Sequence, residues 1–302
     1  MRAARGQISA LPMHVLTGPW PVRATWALLP LLLGPALGDA LGGHSVAVAR
    51  TGSVLAWGTW AAGLVAVLLP RTVSLTALRI ATPAALAVAN WAALAEDPGA
   101  TDALAVTGAA LALVAAFSPL TGDVFVNGSS YGDERRFPLR VPGPLLFGPV
   151  PLAWVGAVTA PIAGPLLLAA EQWAAGGAVL AVGLPLAVVA VRALHGLARR
   201  WAVLVPAGLV LHDHHALVDA VLFPRASIRR LGPAPADVDD ALDLTQRALG
   251  LAVELELREP AEVSPRRPDK TVQVESVDRL LFTPTRPGAL LREAAGRRLP
   301  VG

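Results

Sequence analysis

The stretch WAAGGAVLAVGLPLAVVAVRALHGLARRWAVLV, residues 173–205, divides the chain in two. From 173 to 194 its only charge is Arg192. A helix needs about 20 mostly apolar residues to cross the hydrocarbon core, and this run supplies them. Arg199 and Arg200 end the run, and residues 201–205 read as a strand. The charges divide at the same place: residues 1–196 hold 10 Lys+Arg and 8 Asp+Glu, whereas residues 197–302 hold 15 and 14.

Working back from this stretch, five more apolar runs appear. The six expected spans are 24–41, 53–69, 73–94, 103–120, 145–170 and 173–194. None alternates polar and apolar as a membrane barrel strand does, and helices alone satisfy their own backbone groups in lipid. The expected fold class is therefore a membrane α-helical bundle followed by a small soluble β-rich α+β domain. Its parts are a cytoplasmic N-terminal segment 1–23, a transmembrane helical domain 24–196, and a cytoplasmic β-rich domain 197–302 with a C-terminal helix. Residues 36–38 have the small side chains of a signal-peptidase site. The long segment before them and Pro30 and Pro35 favour a retained first helix.

The chain has 302 residues, 54% of them hydrophobic and 16% charged, and its mean hydropathy is +0.55. A soluble domain carries roughly a quarter charged residues. That deficit argues against a soluble enzyme, and a net charge of +3 argues against a nucleic-acid partner. With no Cys there is no disulfide, thiolate metal site or Cys nucleophile. No cofactor is expected.

Arginine placement sets the orientation. With both termini cytoplasmic, the inner segments hold Arg2, Arg5, Arg23, Arg71, Arg135, Arg136, Arg140, Arg199 and Arg200. The outer loops hold Arg50 and the acidic segment 96–102. This is the positive-inside pattern of a multi-pass inner-membrane protein.

Beyond 200 the pattern becomes that of short strands: 201–205, 209–212, 217–223, 251–258, 271–274 and 279–283, with a helix over 287–298. The runs VPAGLVLHD (205–213), FPRASIRRL (223–231) and LFTPTRPGALLREA (281–294) resemble the opening strands, last strand and closing helix of bacterial pleckstrin-homology-like domains. The whole chain resembles uncharacterised actinobacterial integral membrane proteins. That resemblance implies a pleckstrin-homology-like C-terminal domain and supplies no activity.

The segment 121–143 is the first candidate site. Asn127, Ser129, Ser130, Tyr131, Asp133, Arg135 and Arg136 could cradle a lipid headgroup or phosphate, or only fix topology. Phe125, Val126, Tyr131 and Phe137 are expected to bury and hold the segment against the helix ends or the tail. His212 and His214 are the metal-ligand candidates, against a reading as a polar turn shaped by Asp213. Arg79 lies about 9 Å beyond residue 73 along the third span. It either snorkels to the cytoplasmic face or acts as an intramembrane charge. Asp39 and His44 could pair, and Asn90 is expected to bond between helices. Gly148, Gly156 and Gly164 recur along the fifth span and permit close packing.

These features point to a membrane protein that binds or scaffolds, its tail contacting an anionic lipid headgroup or a cytoplasmic protein. The competing readings are a 3+3-helix transporter or channel and a membrane enzyme acting on lipid. The number of copies in the assembly is left open.

Overall fold

The structure, a computed structural model, describes residues 18–95, 99–235, 240–267 and 273–302. Six helices are long and apolar enough to cross a membrane. They are α1 (Trp20–Gly42), α2 (Val46–Leu68), α3 (Thr72–Ala95), α4 (Ala100–Phe117), α7 (Pro149–Ala169, continuous with the single turn α6, Gly143–Leu146) and α8 (Trp173–Leu197). The shortest has 18 residues, about 27 Å of helix against a core of about 30 Å. Leu31, Val54, Leu111 and Val188 are exposed around the outside, as side chains facing lipid would be.

The first four helices pack together, and α7 and α8 form a separate antiparallel hairpin. Reciprocal indole bonds hold α1 to α2: Trp26 Nε1 donates to the Trp60 carbonyl at 2.9 Å, and Trp60 Nε1 to the Trp26 carbonyl at 3.1 Å. A Cβ on Gly63 would fall 2.2 Å from the Trp26 ring, so only glycine admits this indole. In the hairpin, Gly164 and Gly183 make the close approach, with a Cβ on either falling 2.4 Å from the facing helix. Gly156 lies in ordinary contact with Ala190, whereas nothing approaches Gly148. The expected glycine stripe is therefore only partly an interface.

Apart from shifts of up to four residues elsewhere, two helix boundaries differ from those expected for a local reason. The second span begins seven residues early, at Val46, because the Ser45 hydroxyl caps the Val48 amide at 3.4 Å. Arg50 thereby becomes a helical residue and not a loop residue. The fourth span stops at Phe117, where Ser118 and Pro119 start a new helix, α5 (Pro119–Asn127).

The β domain is two four-stranded sheets closed by a helix. The first has the order β1 (Arg135–Pro138), β2 (Trp201–Val205), β3 (Gly208–His212), β4 (Val221–Pro224), all antiparallel. The second has the order β5 (Ile228–Pro233), β7 (Val253–Val263), β8 (Glu275–Phe282), β6 (Leu242–Asp243), with β6 and β8 parallel. The final helix, α9 (Pro287–Gly296), buries Leu290 and Ala294 in a core shared by both sheets, with Phe137, Phe223, Leu255 and Phe282.

Several expected strands shift. Leu217 makes only an isolated bridge to Pro265, residues 218–220 are irregular, and the strand starts at Val221. The alternating strand extends to Val263 through a bulge between Glu256 and Ala261. Strand β5 joins residues not expected to form one. Of the strand expected at 271–274, residues 271 and 272 lie outside the described residues, and 273–274 precede β8. The main departure is β1: the first sheet draws an edge strand from between α5 and α6, outside the stretch 197–302.

Where α8 runs into β2, Arg200 is fully buried against Asp213, with Nε–Oδ1 and Nη2–Oδ2 both 2.7 Å. Its Nη1 donates to the Arg140 carbonyl at 2.8 Å, just past β1. Removing one partner of such a pair strands the other charge in the interior, at a cost of about 3–5 kcal/mol. Asp213→Ala should lower the thermal unfolding midpoint of the detergent-purified protein accordingly. The double variant Arg200→Met with Asp213→Leu should recover most of the loss. An unchanged midpoint for Asp213→Ala would show that the pair holds nothing.

Candidate ligand site between the helices and the β domain

The segment 121–143 is stitched into the molecule. Asp123, on α5, is almost fully buried and accepts from two cations: Arg135 Nη2 at 2.7 Å and Arg286 Nη1 at 2.6 Å. Asn127 closes the turn onto β1, its Nδ2 donating to the Arg136 carbonyl and its Oδ1 accepting from the Arg136 amide, both at 2.8 Å. Ser130 donates to Asn127 Oδ1 at 3.1 Å. Arg136 pairs with Glu134 at 2.5 Å and lies over the Trp201 ring. The Asp133 carbonyl accepts from Arg297 at 2.6 Å. A Cβ on Gly128 would meet the Pro70 carbonyl oxygen at 1.9 Å, so the turn sits directly on the α2–α3 connection.

Phe125, Val126 and Phe137 are buried, as expected. Tyr131 is not: it is 90% exposed, at the tip of the turn, and Ser129 is exposed beside it. None of the seven polar candidates lines the cavities described next. Asn127, Ser130, Arg135 and Arg136 use side-chain groups to hold the segment in place.

The cavities lie one step inward. A central chamber of about 510 Å³ is walled by α3, the α4–α5 corner, α7 and the end of α8, and floored by residues 138–141 and Thr285. Arg79 and Arg140 line it; among the described residues no Asp or Glu does. Arg79 Nε donates to the Ala116 carbonyl at 3.4 Å, and its guanidinium lies 5.4 Å from the centre of the Phe117 ring. It makes no ion pair among the described residues. Arg79 therefore turns into the chamber beside Phe117. The Nε of Arg140 and the hydroxyl of Thr285 are buried there with no partner. Buried polar groups are ordinarily bonded, so these atoms mark a place for an acceptor.

Beside the chamber, sharing Thr76 and Ile80 as a wall, lies a vestibule of about 610 Å³. Arg192, His195, Arg199, His212 and His214 line it, again without a carboxylate among the described residues. Thr76 Oγ1 and His195 Nδ1 are hydrogen-bonded at 2.9 Å, tying α3 to α8. His212 stacks on Trp201, and its ring centre is 6.4 Å from that of His214. Among the described residues, no three His, Asp or Glu side chains converge to hold a metal. Asp213, between the histidines, is taken by Arg200.

On the opposite side the chamber adjoins an apolar cavity of about 450 Å³ between α1–α3 and α7. Trp154 lines both, and its Nε1 donates to the Ile80 carbonyl at 3.0 Å. Other expected polar contacts are absent from this region. Asn90 bonds to Leu86 of its own helix and not across helices. His44 bonds to the Ala40 carbonyl, and no ion pair joins it to Asp39 among the described residues.

His212, His214 and His215 all hold a proton less readily than a free imidazole, chiefly because burial disfavours the charged ring. Arg199 adds to this at His212, His215 at His214, and Arg200 at His215, while Asp213 opposes it at each. The unfolded chain therefore binds more protons than the folded one once the pH drops below about 6.5. Thermal stability should be flat above about pH 7 and fall on acidification through and below 6.5. Replacing the three histidines by Gln should flatten part of that fall. A midpoint that rises in acid would contradict the burial of these rings.

Geometry alone singles out this site, because compared with protein-family models, curated proteins and solved structures the chain shows no match.

Proposed function

We propose that the chain is a multi-pass cell-membrane protein that binds an anionic ligand in the central chamber, with the β domain clamped beneath as its floor. One observation carries this reading: Arg79 and Arg140 face one largely apolar chamber that, among the described residues, has no carboxylate in its lining. Guanidinium groups in such surroundings are costly unless paired, and their planar donors match phosphate or carboxylate. Two sheets closed by a C-terminal helix support a pleckstrin-homology-like description of the floor. Among the described residues no acid–base pair faces the chamber, which favours binding over catalysis there. A transporter is less well supported. Thr82 and Asn90, polar residues deeper in α3, are each spent on a carbonyl of their own helix.

Both termini are assigned to the cytoplasm from the arginine asymmetry. Reporter fusions after residue 100 and at the C-terminus should fall in opposite compartments; the same compartment for both would refute that topology.

The ligand class is tested by native mass spectrometry of protein released from nanodiscs containing equal phosphatidylglycerol and phosphatidylcholine. The wild type should retain the acidic lipid preferentially. Arg79→Gln with Arg140→Gln should reduce that retention about tenfold, the effect of losing about 1.4 kcal/mol of charge-assisted hydrogen bonding. Equal retention of both lipids by the wild type would refute the reading.

A further inference from the structure

The chamber and the apolar cavity beyond Trp154 have opposite chemistry and share a wall. At the chamber, Arg140 Nε and the Thr285 hydroxyl are buried without a partner, and Arg79, bonded only to the Ala116 carbonyl, has no ion pair among the described residues. In the adjoining cavity, Trp26, Leu33, Trp60, Val88, Trp91 and Ile162 offer hydrocarbon and indole faces. The two indole N–H groups of Trp26 and Trp60 are already bonded to each other's carbonyls, so that cavity presents no free donor from them. From Arg79 to Trp91 is about 18 Å along α3 at 1.5 Å per residue. A charged end and an apolar end at that separation match one molecule with an anionic head and a long hydrocarbon tail.

Resting on the anion-binding reading above, we propose that the ligand is a membrane phospholipid with an acidic headgroup. Its phosphate lies between Arg79 and Arg140, and one acyl chain runs past Trp154 into the cavity between α1–α3 and α7. A free phosphate would satisfy the guanidinium groups and leave the second cavity without an occupant. A neutral lipid would fill the second cavity and leave the two cations uncompensated. The acidic phospholipid does both, and the bilayer around these helices is its source. The cleft lies between the four-helix group and the α7–α8 hairpin, where a lipid can enter sideways. Around the chamber the two groups are tied by the Trp154–Ile80 and Thr76–His195 bonds.

The test uses the full-length protein held in amphipol, with monoalkyl phosphates from butyl to dodecyl and inorganic phosphate as probes. Binding is read by native mass spectrometry and tryptophan fluorescence. Affinity should rise with chain length, at most about fourfold per methylene, the equivalent of about 0.8 kcal/mol each, until the cavity is filled. Ala84→Leu and Ala56→Leu narrow the cavity by different helices. Each should weaken dodecyl phosphate at least tenfold and leave inorganic phosphate unchanged, with unfolding midpoints checking that both variants are folded. A flat series, in which inorganic phosphate binds as well as dodecyl phosphate, would overturn the lipid assignment while the anion site stands. Binding of none of the probes, or binding indifferent to Arg79→Gln and Arg140→Gln, would overturn the anion site itself. A chain-length series unaffected by both cavity variants would place the tail elsewhere and overturn the proposed path.

Discussion

Asp123 sits where three parts of the molecule converge. It belongs to α5, under the membrane helices; its partner Arg135 opens β1; its other partner Arg286 stands at the start of the closing helix. A carboxylate this buried is stable only when its desolvation is offset by charge and hydrogen bonds, and two guanidinium groups supply both. The ion pairs act together with β1, whose register pairs Arg135 with Leu204 and Pro138 with Trp201. The sheet is thereby built from both sides of the α7–α8 hairpin. Trp201 packs against the helical core while its neighbour Ala202 faces the β core, so the strand alternation itself mates the two halves.

The candidate site depends on that attachment. Arg140 follows β1 by two residues, and its amide donates to the Thr283 carbonyl at 2.9 Å while its own carbonyl accepts from Arg200. Thr285 donates its amide to the Pro138 carbonyl at 2.8 Å. The floor of the chamber is therefore held by backbone bonds between β1 and the end of β8, and not by mobile side chains. Arg79 is fixed from above by the corner where α4 gives way to α5, the same helix that carries Asp123. A free anion could be met by any flexible basic loop; two cations held across a gap by backbone favour a ligand of defined shape.

Much of this was legible in the sequence because it is local. Six long apolar runs announce six helices, even where a lone charge such as Arg79 or Arg192 interrupts the run. The alternation at residues 253–257 announces a strand. What the sequence concealed is non-local or capped. The RRFP of β1 has one apolar core residue, and its partner strand lies more than sixty positions away, so no local period marks it. Arg229 and Arg230 hid β5, because Arg230 pairs with the buried Glu254 across the sheet. Asn127, Arg135 and Arg136 carry the residue types of a headgroup cradle, and nothing local in the sequence shows that they bond to the Arg136 backbone, Asp123 and Glu134. Arg79 was visible as an intramembrane charge. Its direction into a chamber was not, because the chamber's other cation arrives from the far side of β1.

The attachment of the β domain to the helices rests on the pairing of β1 with β2 across the α7–α8 hairpin, and the absence of cysteine makes that pairing directly measurable. Facing residues on antiparallel strands have Cα atoms about 4.5–5.5 Å apart, within the span of a disulfide. Arg136 faces Val203, and Val210 is one strand further. In membrane vesicles, oxidation of the Arg136→Cys/Val203→Cys variant should close an internal disulfide. The Arg136→Cys/Val210→Cys variant, whose Cα atoms stand roughly two strand spacings apart at about 10 Å, should not. No cross-link at the first pair, or equal cross-linking at both, would contradict a β domain clamped to the helices by β1.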